Sequence, residues 1–462
     1  MLGSIPHIPD SAVYYRKGIL LSHGQLYAHI TDGPSQAFVL LGGFIHDGKL
    51  YFHYNSFWPL LLAVPIKFGF AELLNPALSA LSLLLIYHIA KRLYNQIVGY
   101  IASLFYCLSP FTIIMAGEFM MHTATQLFLL IAFYYLLDFS LNKKYYAGIF
   151  AGAAMAYALN LRPLTAIGVL SPIALYFLIF YREDFLRLKA LWFFVGFIPV
   201  ISLYFLDNYM GAGNVFLPLD PVILGHSTIL EGILSMLHFQ AGINYADSAI
   251  GFLPSIIFYG SVPMFFISLT FIPLLVYRKK EDSLLMAIFI SLFVAYMLTF
   301  AMGIHGYGPR YVFEAIFALF ILAARGVIWI VNKFGGAFRK VIILCFILLL
   351  LYNLSGLIEI LPMYKNYNDI NSDLFQELKQ TDLNNSIVLI PETWNWYPDG
   401  ITATLFDPSY KKVIFIKELP NNDHYEILQM NLDRKVYRIE NHIVPVNLNL
   451  SVEDQADSFV TT

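Results

Sequence analysis

Apolar residues run through most of this chain in blocks long enough to be counted as membrane spans. A helix needs about 20 mostly apolar residues to cross the hydrocarbon of a bilayer. Ten segments reach or approach that length: residues 73–92, 97–116, 122–140, 144–161, 163–181, 190–206, 251–277, 283–302, 311–332 and 340–362. The stretch "FWPLLLAVPIKFGF" at 57–70 is shorter and holds two prolines and a lysine, so it reads as a helix lying along the interface. Beyond residue 363 Asn, Asp and Lys become frequent and three short β-like runs appear: "SIVLIPE" (386–392), "KKVIFIKE" (411–418) and "RKVYRIE" (434–440). Bounded by Asn, Asp and Pro, they predict strands of a small α/β domain over 363–450. The polar tail 451–462 has too little to bury and reads as disordered.

The polar connections fix an expected orientation. Lys91 with Arg92, Lys143 with Lys144, "YREDFLRLK" (181–189), "YRKKED" (277–282) and the set Lys333, Arg339 and Lys340 fall at alternate connections. Short cationic loops stay in the cytoplasm. That places the first 56 residues outside as a first extracytoplasmic loop. The connection near Glu118, the turn at Arg162, the loop 207–250, the loop 303–310 and the C-terminal domain fall on the same side. The expected fold is thus a polytopic α-helical membrane protein with ten spans over 57–362 and an outer C-terminal α/β domain. Composition agrees, with 58% hydrophobic and 13% charged residues against the roughly 25% charged of soluble domains. A net charge of −3 excludes the basic field that nucleic-acid binding requires. Cys107 and Cys345 both sit in apolar runs, which argues against a disulfide framework or a thiolate metal site.

Ionisable groups near membrane depth are costly and mark functional positions. On the expected outer side these are Asp10, Arg16 and Lys17 in "HIPDSAVYYRKG" (7–18), Glu118 with His122, Arg162 in "NLRPLTA" (160–166), and His305, Arg310 and Glu314 in "GIHGYGPRYVFE" (303–314). Two carboxylates and two arginines facing one leaflet could deprotonate a hydroxyl and bind a phosphate. Each also has a plainer reading. Asp10 after Pro9 suits a turn or helix start, and Glu118 could cap the helix near 122. Arg162 and Arg310 could snorkel to head groups. His305 could be an ordinary loop histidine, and Tyr14 and Tyr15 interfacial anchors. Glu231 and Asp247 receive no role.

The ordered set "PDSAVYY", "GQLY", "FHYNSFWPLLLA" (52–63), "AGEFMMHTATQLFLLIAFYYLL" (116–137), "AGIFAGAAMAYALNLRP" (147–163) and "GYGPRYVFEAIFALFILAARG" (306–326) resembles the GT-C superfamily. These are polyprenyl-phosphate-sugar glycosyltransferases, and the likeness is to the branch of protein O-mannosyltransferases and the lipid A aminoarabinose transferase. The resemblance implies Asp10 and Glu118 as catalytic acids near the acceptor. It implies Arg162 and Arg310, with His305, Arg16 and Tyr311, as substrate-binding groups. The implied donor is a polyprenyl-phosphate sugar and the acceptor a lipid, glycan or protein hydroxyl, with no nucleic acid. No metal ligand is assigned; a divalent ion could join only if the fold gathers Glu118, His122 and His305. Two departures stand out. A first membrane helix ahead of the outer loop, usual in the family, is expected to be missing upstream of Met1, and a paired acid in that loop is replaced by Asp10-Ser11. The rival readings are a transporter or flippase, which would show internal repeats and midplane charges, and a non-catalytic relative. No repeat is apparent.

Overall fold

The computed structural model describes residues 5–30, 42–46, 48–52, 54–142, 144–181, 190–213, 215, 264–297, 304–305, 308–365, 372–391, 397–418, 427–429, 431–439 and 442–446. Several sequence readings fall outside these: the cationic run after Tyr181, most of the loop 207–250 with Glu231 and Asp247, the first half of the span 251–277, and the tail 451–462.

In chain order the elements begin with α1 (Pro9–Ser22), β1 (Ala28–His29), β2 (Gly43–His46), β3 (Lys49–Phe52), α2 (Phe57–Lys67) and α3 (Leu74–Leu93). Next come α4 (Gln96–Cys107), α5 (Pro110–Gly117), α6 (His122–Asn142), α7 (Tyr145–Leu161), α8 (Pro163–Phe180) and α9 (Ala190–Ala212). They continue with α10 (Met264–Val276), α11 (Lys280–Met297), the two-residue strands β4 (Ile304–His305) and β5 (Gly308–Pro309), a 3-10 turn over Arg310–Ala315, α12 (Ile316–Lys333) and α13 (Gly336–Lys365). The chain closes with α14 (Ser372–Gln380), β6 (Ser386–Ile390), α15 (Tyr397–Ala403), β7 (Val413–Lys417), β8 (Lys435–Ile439) and β9 (Ile443–Pro445).

Each of the ten apolar segments carries a helix. Among the described residues five helices are individually long and apolar enough to cross a membrane, and α4 with α5 makes a sixth when counted as one span. The reading of 97–116 as a single helix is corrected: it bends by 59° between α4 and α5. Ser109 caps the new helix by accepting from Thr112 N at 3.3 Å, and Pro110 takes its first position, where a missing N–H costs nothing. The first 56 residues are likewise more than a loop, since they hold α1 and an antiparallel sheet ordered β1-β3-β2.

The chain divides into two compact units. The first spans Asn55–Trp58 and Glu72–Tyr364; the second joins Gly3–Tyr54, Pro59–Ala71 and Lys365–Thr462. The first is a bundle whose core runs from Ile86 and Phe105 through Phe133 and Ile173 to Phe320. Without a hydrophobic force between helices in lipid, close packing of small residues sets the contacts. A Cβ on Gly152 would collide with the backbone of Phe193, and one on Gly196 with the backbone of Ile149, so α7 and α9 touch through glycine on both sides.

In the second unit the three β-like runs form strands ordered β7-β6-β8-β9. β6 is the parallel partner of both β7 and β8, and β9 returns antiparallel to β8. Its core gathers Ile387, Val388, Ile414, Phe415 and Ile439 with Val13 and Leu20 of α1 and Phe52 of β3.

Candidate active site

Arg162 stands between α7 and α8. Pro163 disfavours helical backbone in the residue before it, and Arg162 accordingly adopts φ −145° and ψ 88°. Its N–H still donates to Ala158 O at 3.0 Å, and its carbonyl accepts from Ala166 N at 2.9 Å. The break turns the side chain while the backbone stays paired.

The guanidinium is the hub of a buried cluster. Nη1 donates to Glu314 Oε1 at 3.0 Å and to His122 Nε2 at 2.9 Å, and Nη2 donates to Tyr296 OH at 2.8 Å. His122 Nδ1 lies 2.9 Å from the same Glu314 oxygen and is also in close contact with Arg162 Nη1. Tyr296 also shares a hydrogen bond with Thr165 and stacks on Tyr311 with ring centroids 4.7 Å apart. Tyr311 has guanidinium groups at hand from two sources, Arg162 and Arg310, each 5.0 Å from its ring centroid. Arg310 Nη2 donates to the Tyr311 hydroxyl at 3.1 Å. Burial is nearly complete: Glu314 is 0% exposed, His122 1%, Arg310 5% and Arg162 7%. Two arginines and an acid out of water cost several kcal/mol per ion unless they are paired and hydrogen-bonded. Glu314 Oε1 supplies that pairing for Arg162, while Oε2 is buried and accepts no hydrogen bond from the described residues.

A chain of neutral groups holds the 3-10 turn that carries Arg310, Tyr311 and Glu314. Gln126 Nε2 donates to Phe313 O at 2.9 Å, and Tyr106 OH donates to Gln126 Oε1 at 2.8 Å. Glu118 ends α5 as its C-cap and is 2% exposed. Asn75 donates to the Glu118 carbonyl and, at 2.8 Å, to that of Met120, while Trp58 Nε1 donates to Phe119 O at 2.8 Å. His305 lies in β4, paired with Gly308 of β5. Among the described residues no three His, Cys, Asp or Glu side chains gather as a metal site.

Asp10 belongs to the second unit. It sits in the first turn of α1, where a negative charge meets the positive end of the helix dipole. Tyr54 OH donates to its Oδ1 at 2.7 Å, and the Tyr14 ring lies 4.5 Å from that of Tyr54. Lys17 Nζ donates to the carbonyls of Tyr54 and Phe52, which steadies the same strand end. One reading changes here: Tyr14, expected as an interfacial anchor, is 2% exposed. Arg16 is wholly buried and donates to Thr402 Oγ1 at 2.9 Å.

Of the expected residues, then, Arg162, Arg310 and Tyr311 meet in one cluster. Glu314 and His122 were visible as polar residues without an assigned role. Tyr296 and Thr165 were missed; Thr165 lies three positions after Arg162, within one helical turn, but Tyr296 is 134 residues away and gave no local signal.

Residues 70–205, which include Glu118, His122 and Arg162, match the family described as dolichyl-phosphate-mannose-protein mannosyltransferase. A search of curated proteins returned no match. Among solved structures the chain is similar to ArnT from Cupriavidus metallidurans in the apo state, with TM-score 0.56, 13% identity, and coverage of 95% of this chain and 89% of that one. The same protein bound to undecaprenyl phosphate matches with TM-score 0.55, 12% identity, and 95% and 90% coverage. The Archaeoglobus fulgidus oligosaccharyltransferase matches in its apo form with TM-score 0.57, 13% identity, and 94% and 66% coverage.

Proposed function

We propose that this chain, which has the fold of the GT-C membrane glycosyltransferases and resembles their aminoarabinose-transferase and protein O-mannosyltransferase branch, moves a sugar from a polyprenyl-phosphate donor to an acceptor hydroxyl at the outer membrane face. The observation that carries this reading is the pair of buried guanidinium groups, Arg162 and Arg310, converging on Tyr311. A related fold solved with undecaprenyl phosphate supports the donor class.

Breaking the bond between sugar and phosphate leaves negative charge on the phosphate oxygens. Guanidinium meets such oxygens with parallel N–H donors and stays charged at any working pH. In this mechanism Arg310 contacts the phosphate. Arg162, anchored by Glu314, His122 and Tyr296, fixes Tyr311 and adds its field to the developing charge. Asp10 takes the proton of the acceptor hydroxyl as that oxygen attacks the anomeric carbon from the opposite face. A single displacement inverts the configuration there. Glu118 orients the acceptor, and Arg16 and His305 are further candidates for binding substrate.

The test is transfer by the full chain in membrane vesicles supplied with a radiolabelled undecaprenyl-phosphate sugar, read as release of undecaprenyl phosphate. Asp10→Asn is expected to lower the rate about 10²–10⁴-fold, and Arg310→Gln about 10²–10³-fold. Near-normal release from both variants would overturn the proposal. A chelator arm of the same assay reports whether a divalent ion takes part. Mass spectrometry of surface glycans after deletion of the gene identifies the product.

A further inference from the structure

Away from the polar cluster, α4, α12 and α13 enclose an apolar groove of about 300 Å³. Its walls include Ile101, Val331, Ile343 and Leu350, and among the described residues its polar lining is Asn332 and Arg339. The two polar groups lie together because α12 and α13 are joined by the short turn around Gly335, so Asn332 and Arg339 stand at the same helix ends. The remainder of the groove runs from there along α13.

Its length and level both match one lipid leaflet. From Arg339 to Leu350 is eleven residues of helix, about 16 Å at about 1.5 Å each, against about 15 Å for half of a hydrocarbon core. The polar end is marked independently as the interface. Lys333 Nζ lies 4.6 Å over the Trp329 ring, and that ring stacks on Tyr277. Trp and Tyr collect at the head-group level of a bilayer, with Lys snorkelling past them. From Gly326 to Leu350 the chain carries Lys333, Arg339 and Lys340 and no acid.

We propose that this groove holds one anionic phospholipid of the leaflet that the cation distribution assigns to the cytoplasm. One acyl chain lies along α13, and the head-group phosphate is held by Arg339 and Asn332. In lipid the chain's burial supplies no hydrophobic driving force, because the bulk tails are as apolar as the groove. Retention and selectivity must therefore come from the head group, through a charge-assisted bond to Arg339 and the field of the neighbouring lysines. The site is separate from the proposed transfer chemistry and does not depend on it.

The experiment is native mass spectrometry of the full chain taken from nanodiscs of equal phosphatidylglycerol and phosphatidylcholine. One phosphatidylglycerol is expected to stay bound per chain, in preference to phosphatidylcholine. Arg339→Gln should lower its retention about fivefold, the effect of one interfacial cation. Ile343→Trp, which fills the groove and leaves Arg339 in place, should lower retention as well. Equal retention of the two lipids, or unchanged phosphatidylglycerol in folded Arg339→Gln chains, would overturn the assignment.

Discussion

Removing the carboxylate of Glu314 tests the cluster most directly. Its Oε1 accepts from Arg162 Nη1 at 3.0 Å and lies 2.9 Å from His122 Nδ1, with no exposed surface to let water replace it. Glu314→Ala leaves the Arg162 guanidinium buried without its anion, a loss that costs about 3–5 kcal/mol. Arg162 keeps its bond to Tyr296, which points to the lower end of that range. Glu314→Gln keeps an acceptor in place but loses the charge, which roughly halves such bonds. Its expected cost is about 1–2 kcal/mol. Replacing both partners, Arg162→Met with Glu314→Leu, removes the buried charges together and should cost at least about 2 kcal/mol less than the two single changes summed. The assay is equilibrium unfolding in mixed micelles, followed by tryptophan fluorescence for the five variants and the parent. Additive costs, or a Gln variant as damaging as Ala, would refute the reasoning, since either means that Glu314 does not balance the guanidinium.

Two further outcomes follow from other parts of the chain. Gly152→Val should separate α7 from α9, because its side chain meets the Phe193 backbone rather than a movable rotamer; overpacking of this kind costs about 1–3 kcal/mol or more, read as a lower Tm in detergent, whereas a Val on the open Gly211 should leave Tm unchanged. Asp407 gives a pH signature. Burial pushes its carboxyl up, but bonds from Lys412 N, Ser409 N and Ser409 Oγ outweigh this and hold it below the usual carboxylate range. A depressed folded value stabilises at pH above the unfolded value of about 3.9 and is lost as pH falls through the folded one. Asp407→Asn should therefore speed hydrogen exchange of the β7 amides at pH 7, and the difference from the parent should close as pH drops below about 4.

How much was legible in the linear pattern can be argued residue by residue. The helices at the ten apolar segments were legible because membrane spanning is a local property: about 20 apolar neighbours suffice and no distant partner is consulted. The strands β6, β7 and β8 were legible from alternation between turn residues. The 59° bend after α4 had a local signal in Ser109-Pro110, yet apolar counting alone passed over it. Arg162 was singled out by its own neighbours, through the proline that follows it.

The sequence by itself determined which residues must be helical, where polar groups interrupt them, and that Arg162 and Arg310 stand where charge is expensive. Only the tertiary structure decided what those charges meet. Glu314 is 152 residues from Arg162 and 192 from His122, and Tyr296 carries no mark that separates it from other tyrosines in apolar runs. It likewise decided that Arg16 turns to Thr402, 386 residues away. Hydrophobicity is read one residue at a time, whereas an ion pair exists only when packing brings two residues from distant helices within about 3 Å.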